Sequence, residues 1–180
     1  MPADPALLKL AEYKRAIDDD LQTYAAYLRK TSAEQFGQEV TEAFNPMSVT
    51  VRLQDDVDVS RGDMICRPQN APKPSQDIDA MICWMTNEPL RPRQKLAIKH
   101  TPRMGRALIK DIQYRLDVNT LHRDKETKEL ELNEIGRVQL RTTVPLLCDP
   151  YSKNRTTGSF ILIDEATGVT VGAGMINSGS

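Results

Sequence analysis

Gly158-Ser-Phe-Ile-Leu-Ile-Asp-Glu-Ala-Thr-Gly-Val-Thr-Val-Gly-Ala-Gly-Met-Ile176 holds two strand-like runs about a turn, and this pattern sets the fold class. Asp164-Glu-Ala-Thr-Gly168 is a hairpin signal, because Asp and Gly accept turn conformations that branched residues resist. Working outward, strand-like runs bounded by turn residues are expected near 78–86, 95–100, 106–118 and 134–144. The polar stretch Leu121–Leu130 reads as the longest loop. Upstream, Ser48-Val-Thr-Val-Arg-Leu53 alternates with period two, the mark of a half-buried strand, and Met64-Ile-Cys66 is a short apolar run. Pro68-Gln-Asn-Ala-Pro-Lys-Pro-Ser-Gln76 reads as a connector, since proline cannot donate to a central sheet ladder. Short strands at this spacing point to a closed β-barrel or a sandwich.

The front of the chain reads differently. Residues 5–30 contain no glycine, Asp4 and Pro5 suit a helix start, and Leu7, Leu10, Ile17, Leu21, Tyr24 and Leu28 recur at steps of three, four and seven. One helix is expected there, with Asp18-Asp-Asp20 as its weak point. Ser32 and Gln35 are placed to cap a second, short helix before Gly37.

A chain of 180 residues is long enough to bury a core without disulfide or metal staples. Three scattered cysteines, Cys66, Cys83 and Cys148, do not form an even secreted framework and read as reduced thiols of a cytoplasmic protein. No apolar run approaches a membrane span, and no signal peptide is seen. Residues 1–60 carry six Lys/Arg against eleven Asp/Glu, whereas residues 61–180 carry eighteen against fourteen. Such asymmetry suits different partners for the two halves, although ordinary solvated faces are the simpler account.

Catalytic constellations are missing. Arg155-Thr-Thr-Gly-Ser159 and Val171-Gly-Ala-Gly174 have glycines but lack the Lys that follows a phosphate-cradling loop. His100 and His122 are far apart, no two cysteines are close, and Asp55, Asp56 and Asp58 lack the glycine and distal glutamate of a calcium loop. No nucleophile elbow occurs. No catalytic, cofactor-binding or metal-binding residue is therefore assigned.

One stretch stands out. Between Glu88 and Asp111 there is no acid, while Arg91, Arg93, Lys95, Lys99, Arg103, Arg106 and Lys110 are basic. These seven form the candidate surface for an anionic partner. RNA is disfavoured because the segment has no aromatic side chain for base stacking.

Larger stretches resemble a known family. Glu42-Ala-Phe-Asn-Pro-Met-Ser-Val-Thr-Val-Arg-Leu53, Asp58-Val-Ser-Arg-Gly-Asp-Met-Ile65 and Asp79-Ala-Met-Ile-Cys-Trp-Met85 are similar to the large, GTP-binding subunit of bacterial sulfate adenylyltransferase, with an actinobacterial flavour. So are Asp117-Val-Asn-Thr-Leu121, Leu132-Asn-Glu-Ile-Gly-Arg-Val138, Asn154-Arg-Thr-Thr-Gly-Ser-Phe-Ile-Leu-Ile-Asp164 and Gly172-Ala-Gly-Met-Ile176, all in family order.

The resemblance implies a mainly β chain ending in an elongation factor Tu-like C-terminal β-barrel. The expected division is a helical arm over 1–40, closing strands of a middle barrel over 41–67, a linker over 68–76, the last barrel over 77–176 and a tail over 177–180. It further implies that GTP and magnesium belong to a GTPase domain outside this chain, so no cofactor is expected here. The implied partners are the small catalytic subunit, which makes adenylyl sulfate, or a separate GTPase domain. The N-terminal helix is a candidate homo-oligomer contact. Two alternatives stand beside the docking module: a truncated family remnant capped by a new helix, and an RNA-binding barrel.

Overall fold

A computed structural model of the chain describes residues 12–19, 22–35, 37–40, 48–53, 59–66 and 72–179. The chain divides into two compact units, Met1–Ala71 and Pro72–Ser180. No helix among the described residues is long and apolar enough to cross a membrane.

In the first unit the expected helix is corrected. Strands β1 (Glu12–Asp19) and β2 (Gln22–Gln35) form an antiparallel hairpin in register from Glu12 opposite Arg29 to Asp19 opposite Gln22. The remainder of the expected span, residues 5–11, 20 and 21, lies outside the described residues. Strands β3 (Gln38–Val40) and β4 (Thr50–Leu53) both pair with β2, and β5 (Met64–Cys66) pairs with β1. The short helix expected after Ser32 is likewise the end of β2, and Gly37, at φ +79°, turns the chain into β3.

Pairing explains the difference. Strands β4 and β5 present backbone N–H and C=O groups that a helix, which satisfies its own backbone, cannot bond. A hairpin supplies those bonds, and three consecutive aspartates offer a helix little resistance to that demand.

The second unit is a barrel of six antiparallel strands: β6 (Lys73–Trp84), β7 (Lys95–His100), β8 (Arg103–Leu116), β10 (Ile135–Cys148), β11 (Ser159–Ile163) and β12 (Thr170–Gly179). They run around the ring as β10-β6-β12-β11-β7-β8, and pairing of β8 with β10 closes it. A two-residue strand β9 (Arg123–Asp124) pairs with β8 within the polar loop.

Alternation builds the core. Ile78, Ala80, Ile82 and Trp84 of β6 point inward, as do Leu96 and Ile98 of β7, Val138 and Leu140 of β10, and Phe160 and Leu162 of β11. Each buried aliphatic side chain contributes about 1.5–3 kcal/mol. On β8 the inward step from Ile109 to Ile112 is three residues, because Lys110 is the extra residue where the register against β10 shifts.

Residues 73–76 were expected in a connector but open β6. Pro74 sits opposite Leu147 of β10, whereas β12 pairs with β6 only from Ile78 onward. Proline is tolerated there because one edge of the strand has no ladder to lose.

Candidate partner-binding surface

The outer wall of the barrel divides into a charged sector and an apolar one. The charged sector lies over β6, β10 and β8. Asp77 accepts from Lys110 Nζ at 2.6 Å and from Arg141 Nη1 at 2.8 Å. Asp79 accepts from Arg137 Nε at 2.9 Å and from its Nη2. Arg115 bridges Glu134 at 2.6 Å and Asp124 at 3.0 Å.

The acids raise their arginines above the ordinary range: Arg137 through its hydrogen bond with Asp79, and Arg115 chiefly through Glu134. The carboxyl of Asp124 falls to about 2, led by the Thr127 hydroxyl and then the Glu126 amide. Exposed ion pairs of this kind contribute about 0–1 kcal/mol each. Their main effect is to tie charge down within the wall.

Of the seven basic residues proposed from sequence, three are held in ion pairs. Arg91 pairs with Glu129 at 2.9 Å, Arg106 with Glu165 at 2.8 Å and Lys110 with Asp77. Arg93 stands in a turn at φ +71°, its amide bonded to the Ile109 carbonyl. Arg103 opens β8 opposite His100. Lys95 and Lys99 share the outward face of β7, about 13 Å apart at strand rise. Among the described residues, Arg93, Lys95 and Lys99 have no ion-pair partner. Arg106 lies opposite Ala97, between Lys95 and Lys99 on the adjoining outward faces of β7 and β8.

The apolar sector lies over β12, β11 and β7. Cross-strand rows run outward from Cys83 through Ala173 and Ile161 to Lys99 and Met104, and from Met81 to Met175. Met104 and Met175 are 59% and 40% exposed. A groove of about 530 Å³ crosses this sector, lined by Cys83, Lys99, Ile161, Ala173 and Met175 with the hydroxyl residues Thr101, Tyr151, Thr156 and Ser159.

At one end of the groove, His100 is buried and its Nε2 lies 2.7 Å from the Thr157 carbonyl. Burial holds its imidazole below the ordinary value of 6.5; the hydrogen bond opposes this and the Arg103 charge reinforces it. This contact ties β7 to the loop 149–158, where Asp149 accepts from Lys153 and Thr157.

Both glycine stretches are closely packed. A Cβ on Gly158 would stand 2.4 Å from the Tyr151 Cα, and the Gly158 amide already donates to the Asn154 carbonyl at 2.8 Å. A Cβ on Gly174 would stand 2.1 Å from the Phe160 ring. These glycines serve close packing, Gly158 in the loop before β11 and Gly174 within β12. Among the described residues no three His, Cys, Asp or Glu side chains are grouped to hold a metal. Burial raises the Cys148 thiol to about 11, which makes it an inert packing group.

Sequence reasoning missed the apolar sector. Its signal was available: Phe160-Ile-Leu-Ile163 is apolar at every position, which marks a strand with two apolar faces. The Asp77 and Asp79 pairs had no comparable signal, because Arg137 and Arg141 lie some sixty residues away in sequence.

Comparison with known proteins places this barrel. Residues 77–177 match the family model described as GTP-eEF1A C-terminal domain-like. The bifunctional enzyme CysN/CysC of Mycobacterium tuberculosis is 59% identical over 138 residues, covering 76% of this chain and 22% of that protein. Sulfate adenylyltransferase subunit 1 of Pseudoalteromonas atlantica is 42% identical over 134 residues, covering 74% of this chain and 28% of its own length. The chain thus spans between a fifth and a third of these relatives. The crystal structure of sup35 complexed with GDP shares the fold at TM-score 0.77 and 16% identity, over 96% of this chain and 48% of that one. By its closed six-stranded barrel and by this match, the chain belongs to the GTP-eEF1A C-terminal domain-like family and is homologous to the sulfate adenylyltransferase large subunit.

Proposed function

We propose that this chain serves sulfate activation as a non-catalytic docking module, presenting its last barrel to the small catalytic subunit of sulfate adenylyltransferase or to a GTPase domain. The sulfate context comes from its relatives. The docking role rests on one observation: an outer wall with an apolar sector where a barrel facing only water would carry polar side chains. GTP and magnesium, in this reading, act on another domain of the assembled enzyme, and the barrel contributes position. The test is retention of the small subunit on the immobilised full chain. Retention at micromolar concentration is expected; its absence overturns the reading.

A second reading has its own observation. The N-terminal hairpin pairs with β4 and β5, the strands that the resemblance assigns to a middle barrel. The hairpin then acts as a cap that closes their open edges. Deletion of residues 1–40 is expected to cause aggregation, and an unchanged melting temperature in the deleted chain argues against the cap.

A further inference from the structure

We propose that the groove over β11 and β12 is the seat for a partner segment that offers an apolar side chain flanked by a carboxylate. The inference rests on the docking reading above and names the contact that reading requires.

The chemistry of the groove selects that occupant. Its floor is Ile161, Ala173 and Met175, so it takes an apolar group. Lys99 stands within this floor, between Ile161 of β11 and Met104 of β8, and has no ion-pair partner among the described residues. Elsewhere on the wall Glu165 is engaged by Arg106, and Asp77 by Lys110 and Arg141. An ammonium set among apolar side chains gains most from a carboxylate brought in by a partner, because apolar surroundings strengthen the attraction. The hydroxyls of Tyr151, Thr156 and Ser159 along the rim can bond the partner's backbone. Met175 and Met104 supply adaptable surface of the kind that docking sites favour.

The full-length chain is titrated with the small catalytic subunit, and each variant is first shown to melt like the wild type. Lys99→Glu and Met175→Glu are expected to weaken binding about tenfold or more, as for the central residues of an interface. Lys99→Arg and, on the charged sector, Arg141→Ala are expected to bind like the wild type. Raising salt from about 50 to about 300 mM should weaken the wild type and leave Lys99→Met little changed.

Groove variants that bind like the wild type overturn the inference and leave the docking reading standing. A wild-type chain that retains no small subunit overturns both. Two further measurements concern other occupants. If Lys99→Glu converts a dimer to a monomer in sedimentation, a second copy fills the groove and the proposal falls. If Cys83 in the free chain resists alkylation as fully as buried Cys148, the chain covers its own groove and the proposal again falls. Free reactivity at Cys83, lost when the small subunit binds, supports it.

Discussion

Beneath the charged sector of the barrel lie Ile78 and Leu140; beneath the apolar sector lie Leu162 and Ile176, and all four are at most 1% exposed. The inner wall is apolar beneath both sectors, with His100 and Thr142 among the buried polar side chains of the barrel. The outer wall has two chemistries: Asp77, Asp79, Arg137 and Arg141 bind one another over β6 and β10, while Ile161, Ala173 and Met175 leave an apolar groove over β11 and β12. A closed barrel must fill its interior, so the inner residues report only the fold. Nothing in folding requires the outer wall to be apolar on one side and ionic on the other. The proposed docking role rests on that asymmetry, the charged sector being paired within itself and the apolar sector left open.

The largest expected effect tests whether the inner wall is uniform. Leu140→Ala, under the charged sector, and Leu162→Ala, under the apolar one, should each cost about 2–5 kcal/mol in denaturant unfolding. A cheap substitution on one side only would break the comparison at its base.

Next comes the charged lattice. Asp79→Ala leaves the Arg137 guanidinium without its bidentate partner, and should cost about 1 kcal/mol, the upper end for partly exposed pairs. Lys110→Ala removes one of two cations from Asp77 and should cost less than about 1 kcal/mol, by the same measurement.

Acid sharpens the picture at the end of the groove. Burial holds the folded-state pKa of His100 below 6.5, so the unfolded chain takes up this proton first as pH falls. The His100 contribution is complete above 6.5 and is lost as pH drops below that value toward the folded one. Asp117, Asp124 and Asp164 are held below their ordinary 3.8, so their contributions fade only at lower pH. The melting temperature should therefore fall between pH 7 and pH 5.5, and His100→Gln should flatten that dependence.

The smallest effect belongs to the apolar sector itself. Met175→Gln and Ile161→Thr should each change stability by no more than about 0.5–1 kcal/mol, since these side chains face outward. Their cost should appear in partner binding, which is what separates a docking face from a structural one.

Much of the barrel could be read in the chain. The hairpin about Asp164–Gly168 forms where expected: the Asp164 carboxylate accepts from the amides of Ala166 and Thr167, and Gly168 adopts φ +72°. Strand β7 spans the expected residues 95–100; β8 starts three residues early and ends at Leu116, and β10 and β12 end four and three residues late. Alternation and turn residues are local signals, and the barrel follows them. The front of the chain failed because the decisive bonds are distant: Lys14 to Cys66 across β1 and β5, and Glu34 to Thr50 across β2 and β4. Periodicity in residues 5–30 carries no trace of those partners.

The candidate site divides in the same way. The seven basic residues were legible as a run, but their neutralisation was not, because Glu129, Glu165 and Asp77 arrive from other strands and loops. By itself the sequence determined a mainly β chain, the strand and turn positions of its barrel, and its family, all of which rest on local order along the chain. Only the tertiary structure decided which strands adjoin, and so which charges cancel, which apolar faces merge into a groove, and why Lys99 has no ion-pair partner among the described residues. Those outcomes depend on registry between elements distant in sequence, from 33 residues for Lys110 and Asp77 to 64 for Arg141 and Asp77, and a side chain's free charge or free surface exists only once its neighbours are fixed.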